Sequence, residues 1–179
     1  MSTESLPQPT AAQLTGAHER ATITTEGSEM VITRTFPGTA ELVFEAMTNP
    51  EHIRKWWGAG HGTVTTCEVD LRVGGAWHFA MGAASSGDEV SFSGHYKEID
   101  RPGRLVHTER FDNIDSPYSV IDTTYVENTG TMTTTLTATI TYDSPETVQA
   151  VIDSGMEHGL QSSYDAIDDI LAELTAAQA

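Results

Sequence analysis

The sequence predicts an α+β domain: a curved, seven-stranded antiparallel sheet wrapped around a long C-terminal helix, with two short helices after the first strand. Three observations carry this. From Thr63 to Tyr142 the hydrophobic period is two, and Gly, Pro, Asn and Asp clusters interrupt it at short intervals. From Pro145 to about Leu174 the period is that of a helix. The links between strands are too short for parallel crossovers, so neighbouring strands run antiparallel.

The elements follow in order. Residues 1–27 read as a loose tail rich in Pro, Gln, Thr and Ala, in which Ala21 to Thr25 could add an edge strand; residues 28–175 form the single domain. Met30 to Phe36 is a β-branched run stopped by Pro37-Gly38. Thr39 caps a helix carrying Leu42, Val43, Ala46 and Met47 at helical spacing, and Asn49-Pro50 ends it and starts a second helix that runs to Trp56-Trp57. The strands that follow are Thr63–Leu71, Gly75–Met81, Glu89–Ile99, Arg104–Phe111, Ser119–Val126 and Thr131–Tyr142. Gly74-Gly75, Ser85 to Asp88, Asp100 to Gly103 and Asn128 to Gly130 separate them. Ser144 caps the last helix, and its stripe of Val148, Val151, Ile152, Met156, Leu160, Ile167, Ile170, Leu171 and Leu174 is the only long amphipathic cover for the sheet.

Composition excludes several classes of function. Lys and Arg number 9 against 26 Asp and Glu, and the net charge of -17 repels phosphate backbones and anionic headgroups; neither nucleic acid nor a membrane surface is an expected partner. The single cysteine, Cys67, permits no internal disulfide framework, and no run approaches the ~20 apolar residues of a membrane span. With no secretory signal pattern at the N-terminus, the expected location is cytoplasmic. His18, His52, His61, His78, His95 and His158 have no metal-site spacing, and no nucleotide or nucleophile-elbow fingerprint is present, so no metal and no cofactor is expected.

Three motifs bear on family. The first is Ile32 to Phe36 followed by Glu41 to Ala46 and by Asn49-Pro50-Glu51 to Trp56-Trp57-Gly58. The second is Asp70 to Trp77, and the third is Gly94 to Pro102 with Arg104-Leu105-Val106 and Thr108. In this order, over residues 30–175, the chain resembles the START-like, helix-grip superfamily called SRPBCC, in the branch of the heat-shock chaperone ATPase activator homologues. One departure is Gly159-Leu160 where that branch often carries Gly-Trp, which either enlarges a cavity beneath the helix or is compensated from elsewhere.

Alternation places side chains. If Ile99 opposes Arg104, then Tyr96 opposes His107, Gly94 opposes Glu109 and Phe92 opposes Phe111, all on one face that the two phenylalanines mark as inward. Burying His107 and Glu109 is costly without partners or water. Either they satisfy each other or backbone groups, or a bulge turns them outward, or they face a pocket. If Asn128-Thr129 is a two-residue turn pairing Val126 with Thr131, then Ile121, Thr123 and Tyr125 face inward, as do Met132, Leu136, Ala138, Ile140 and Tyr142. Trp77, Phe79 and Met81 share the inward parity of their strand. Of the adjacent Trp56 and Trp57, one at most can point inward, ahead of a glycine-rich loop, Gly58 to Gly62, suited to gating a cavity mouth.

The resemblance implies a cavity for a small hydrophobic or aromatic molecule. Its walls are Trp56, Trp77, Phe79, Met81, Phe92, Tyr96, Phe111, Tyr125, Met156 and Leu160, with His107 and Glu109 as polar anchors. It also admits a polyketide cyclase- or dehydratase-like enzyme. There His107 moves a proton, Glu109 holds its tautomer and Tyr96 hydrogen-bonds an enolate oxygen. A third implied reading is a module that binds a chaperone. The sequence is compatible with a monomer or a homodimer.

Overall fold

The computed structural model describes residues 20–83 and 87–178. Eight strands form one sheet, all neighbours antiparallel: β1 (Thr22–Glu26), β2 (Glu29–Pro37), β3 (Gly62–Val69), β4 (Ala76–Ala83), β5 (Glu89–Asp100), β6 (Arg104–Phe111), β7 (Ser119–Asn128) and β8 (Thr133–Thr141). The order across the sheet is β1-β2-β8-β7-β6-β5-β4-β3. The expected seven becomes eight because Thr22–Glu26 pairs with β2 at the sheet edge. Residues 1–19, where the loose tail was read, and the Ser85-Ser86 turn lie outside the described residues. Among the described residues no helix is long and apolar enough to cross a membrane.

The helices start where capping chemistry places them. The Thr39 hydroxyl accepts from Leu42 N–H at the head of α1 (Ala40–Thr48). The Asn49 side chain accepts from Glu51 N–H ahead of α2 (Pro50–Trp56), with Pro50 in its first turn. Ser144 accepts from Thr147 N–H ahead of α3 (Pro145–Asp153). The single C-terminal helix of the sequence reading is divided: Gly155 adopts φ 78, and α4 (Met156–Ala177) begins beyond it. That left-handed backbone is a glycine conformation, and it breaks the helical period, so Ile152 leaves the apolar stripe and is exposed.

Two turns differ from the expected register. At Asp100–Gly103 the ladder starts one residue out, with Asp100 opposite Arg104 and Ile99 opposite Leu105. A bulge at Lys97 then absorbs the slip, so Tyr96 opposes His107 and Phe92 opposes Phe111. Between β7 and β8 the link is Thr129 to Met132, longer than the expected two-residue turn, and Tyr125 opposes Leu136. Met132, expected inside, sits in this turn at φ 52 and is exposed; Thr134 takes the inward position, its hydroxyl donating to Gly38 O at 2.9 Å.

The core joins β2–β8 and α1 to α4. Phe36, Val43, Phe44, Leu136, Ile167 and Leu171 are fully buried or nearly so. A buried cation also ties the helix to the sheet. Arg34 points inward from β2, ion-pairs with Asp168 of α4, lies 4.0 Å from Asp165 Oδ1 and stacks over the Phe36 ring.

Candidate functional site

The core is incomplete on one side. Between the concave face of the sheet and the α3–α4 segment lies a cavity of about 1000 Å³, bounded also by α2 and the Gly58–His61 loop. Its walls are mostly apolar. Every side chain that the sequence assigned to the site lines it: Trp56, Trp77, Phe79, Met81, Phe92, Tyr96, His107, Glu109, Phe111, Tyr125, Met156 and Leu160. Two physical facts bring them together. Strand parity sets the faces of β4 to β7, and α4 spans the sheet without filling the space above β5 and β6.

Trp56 and Trp57 both reach the cavity, against the expectation that only one could. The helix ends at Trp56, and Trp57 has an extended backbone (φ -68, ψ 123), so the ~100° step that separates successive helical side chains no longer applies. Trp57 stacks edge-on against Phe79 (centroids 5.7 Å) and Phe92 (6.0 Å). Trp56 Nε1–H donates to Ala46 O at 2.9 Å, which fixes its ring beside α1. Phe92 and Phe111, cross-strand partners, lie 5.1 Å apart and continue this aromatic wall.

His107 stands in the middle of β6. Its ring meets Trp77 edge-on at 5.7 Å and faces Tyr96 at 6.2 Å. Trp77 is held by its own hydrogen bond, Nε1–H to Thr108 O at 3.2 Å. His107 Nδ1 is buried and has no hydrogen-bond partner. Removed from water with no compensating charge, the imidazole is pushed down to about 4 and stays neutral at physiological pH.

Glu109 follows two residues along the same face. Burial pushes its carboxyl up to about 7, far above the ordinary carboxylate range. The tautomer-holding bond from Glu109 to His107 is not formed: Nδ1 is without a partner, and no hydrogen bond or ion pair to the Glu109 carboxyl exists among the described residues. The pairs on either side, Ser93 with Arg110 and Tyr96 with His107, keep the expected register past Gly94 and Glu109, and between them His95 N–H donates to the Thr108 hydroxyl at 3.0 Å. Tyr142, also in the lining, is pushed up to about 12 by burial and by the Glu109 charge, while burial raises Tyr96, Tyr125 and Tyr164 well above the usual phenol range.

Trp57, Tyr164 and His61, not among the residues assigned to the site, also line the cavity, as does Tyr142, which was placed on the inward face but not in the site. Tyr164 was legible in principle, since it lies at helical spacing from Leu160 and Ile167. His61 was not. Its ring packs against Gly159, where an added Cβ would lie 3.7 Å from Nε2, and that contact depends on how a glycine-rich loop meets a distant helix. Among the described residues no group of His, Cys, Asp and Glu is arranged to hold a metal ion.

Comparison with known proteins bears on fold and family. The model of the family described as Activator of Hsp90 ATPase homolog 1-like protein matches residues 37–172. A crystal structure of a Rhodobacter sphaeroides protein superposes with a TM-score of 0.78 at 23% identity, covering 87% of this chain and 99% of that one. A Mycobacterium smegmatis protein gives 0.75 at 25% identity (84% and 96% covered), and a Staphylococcus epidermidis protein 0.72 at 24% (85% and 94%). No curated protein matches the chain in sequence.

Proposed function

Given that this chain belongs to the Activator of Hsp90 ATPase homolog 1-like family, within the SRPBCC fold, we propose that it binds an apolar or aromatic small molecule in the cavity between the sheet and the C-terminal helices. The observation that carries the reading is the cavity itself. At about 1000 Å³ it is at the upper end of ligand-sized sites, it is walled by aromatic and aliphatic side chains, and it holds two polar groups, His107 Nδ1 and the Glu109 carboxyl, that have no partner among the described residues. A solid core of this size would have been filled with side chains, and polar groups with no role would not be left in it.

The test uses a property of the site. Trp56, Trp57 and Trp77, the three tryptophans of the chain, all line the cavity. Any occupant therefore changes their emission. Titration with neutral naphthalene- and steroid-sized probes is expected to give saturable quenching or a spectral shift. Unchanged emission across such a panel overturns the reading.

A cyclase- or dehydratase-like reaction on a polyketide-type substrate is the second reading, favoured by one observation. A carboxyl near 7 can act as a general acid at neutral pH while the neutral imidazole, with Nδ1 unoccupied, accepts a proton. In this scheme Glu109 and His107 act on different atoms of the substrate, and the Tyr96 hydroxyl opposite His107 hydrogen-bonds an enolate oxygen. Turnover of a poly-β-ketone probe that survives His107→Ala and Glu109→Gln unchanged excludes it.

A further inference from the structure

We propose that the molecule held in this cavity is a hydrophobic amine, whose ammonium group pairs with Glu109 while its aromatic or polycyclic body fills the apolar walls; the inference rests on the cavity being a ligand site. Charge inventory is the first argument. The basic residues that line the cavity are His61, His107 and Arg110. Arg110 is engaged elsewhere: its Nε–H donates to Asp112 at 3.1 Å and its guanidinium lies over the Tyr118 ring at 4.9 Å. His107 is neutral. The His61 ring packs against Gly159, no ion pair or hydrogen bond to the Glu109 carboxyl occurs among the described residues, and Asp143 adds a second carboxyl to the lining.

A ligand carboxylate would hold the Glu109 carboxyl protonated and bring its own charge into a mostly apolar space whose one guanidinium, Arg110, is already paired with Asp112. A neutral ligand leaves the Glu109 carboxyl as it was. An ammonium ion displaces the Glu109 proton and pairs with the carboxylate that results, in a charge-assisted hydrogen bond and ion pair. The walls also suit a cation. Phe111 lies two residues beyond Glu109 on the same strand face, Phe92 stacks against it, and Tyr142 is close enough for the Glu109 charge to act on its phenol. Aromatic rings beside the carboxyl favour a cation over an anion through their π quadrupole. The net charge of -17 adds a long-range field that concentrates cations at the mouth and repels anions. His107 Nδ1 remains as a second polar anchor for a hydroxyl or N–H on the body of the ligand.

Pairing has a proton balance. Below about pH 7 the carboxyl is protonated in the empty cavity. An amine of ordinary basicity arrives as its ammonium ion, so the pair forms with release of the Glu109 proton to solvent.

Three probes of one shape separate the possibilities: naphthylethylamine, naphthylethanol and naphthylacetate, titrated calorimetrically into the full chain at low salt. The amine is expected to bind at least about tenfold more tightly than the alcohol, and the acid more weakly than either. Glu109→Gln is expected to abolish the amine's advantage and leave the affinity for the alcohol within about twofold. At about pH 6 the amine should release close to one proton, read from the difference in heat between two buffers of unlike ionisation enthalpy. That measurement uses the wild-type chain and stands if the variant fails to fold. An alcohol or acid that binds as tightly as the amine, or amine binding with no proton release, overturns the amine assignment and leaves the cavity reading intact. Absence of binding by all three overturns both.

Discussion

The His107 imidazole meets the edge of the Trp77 indole at 5.7 Å and 79°, on the side of β6 where Nδ1 finds no hydrogen-bond acceptor or donor. The ring is therefore packed as an aromatic group and desolvated as a base, and its neighbour Glu109 is desolvated as an acid. The two have opposite effects on stability as pH changes. His107, lowered from 6.5 to about 4, weakens the fold as pH falls through that window, because the unfolded chain takes up the proton first. Glu109, raised from 4.5 to about 7, contributes stability that is complete below about 4.5 and lost as pH rises to about 7. Glu109→Gln is accordingly expected to be more stable than wild type by about 1–3 kcal/mol at pH 8 and to lose that gain near pH 4.5. Urea denaturation at both pH values checks it, and an equal effect at the two is inconsistent with a raised carboxyl.

Gly94 shares its space with the backbone of β6 and with the hydrogen-bonded indole. A Cβ there would lie 1.7 Å from Thr108 O and 2.8 Å from Trp77 Nε1. Gly94→Ala should force the strands apart, cost about 2–3 kcal/mol and free Trp77 Nε1–H from Thr108 O. Gly82→Ala, also in a strand but with nothing within 4 Å, is the comparison and should be neutral or slightly stabilising. Thermal unfolding of the pair decides; equal melting points refute the packing argument.

Arg34 is 2% exposed, and its ion pair with Asp168 holds α4 against β2. Asp168→Ala leaves a buried guanidinium with the Thr35 carbonyl and, as its counter-charge, the more distant Asp165, and is expected to cost about 3–5 kcal/mol. Arg34→Met removes the buried cation itself and should cost clearly less. Denaturant midpoints of the two variants, measured at low and high salt, test the order, and the reverse order is incompatible with a desolvated cation.

Leu160 is half-buried on the cavity wall, next to Gly159 and the His61 contact. Leu160→Trp adds volume where the protein leaves space, so the fold should be retained or stabilised. Affinity for a naphthalene-sized probe should fall by about tenfold or more. Unchanged affinity with a normal melting curve would place the ligand elsewhere.

The parity of the strands was legible because it survives errors that come in even steps. The β7–β8 link is four residues longer in register than the expected turn, yet Ile121, Thr123 and Tyr125 face inward as read, since an even displacement leaves every side chain on its face. The β5–β6 turn is the harder case. A slip of one at Asp100 would have reversed Tyr96, Phe92 and their partners, and only the bulge at Lys97 restores them. Nothing local in the sequence marks that bulge. Helix ends were legible at Thr39, Asn49 and Ser144, where a side-chain oxygen next to a helical pattern has one obvious use.

By itself the sequence determined the order of elements, the antiparallel meander, the covering helix and the face on which His107 and Glu109 stand, because each follows from periodicity, capping and turn chemistry within a few residues. The tertiary structure alone decided that no side chain fills the space above β5 and β6, that both Trp56 and Trp57 border it, and that among the described residues Glu109 pairs with no cation while the more deeply buried Arg34 meets Asp168. Cavities and charge partners are set by segments distant in the chain, and whether their volumes fill a gap or their charges meet is fixed only when the strands and α4 are packed against one another.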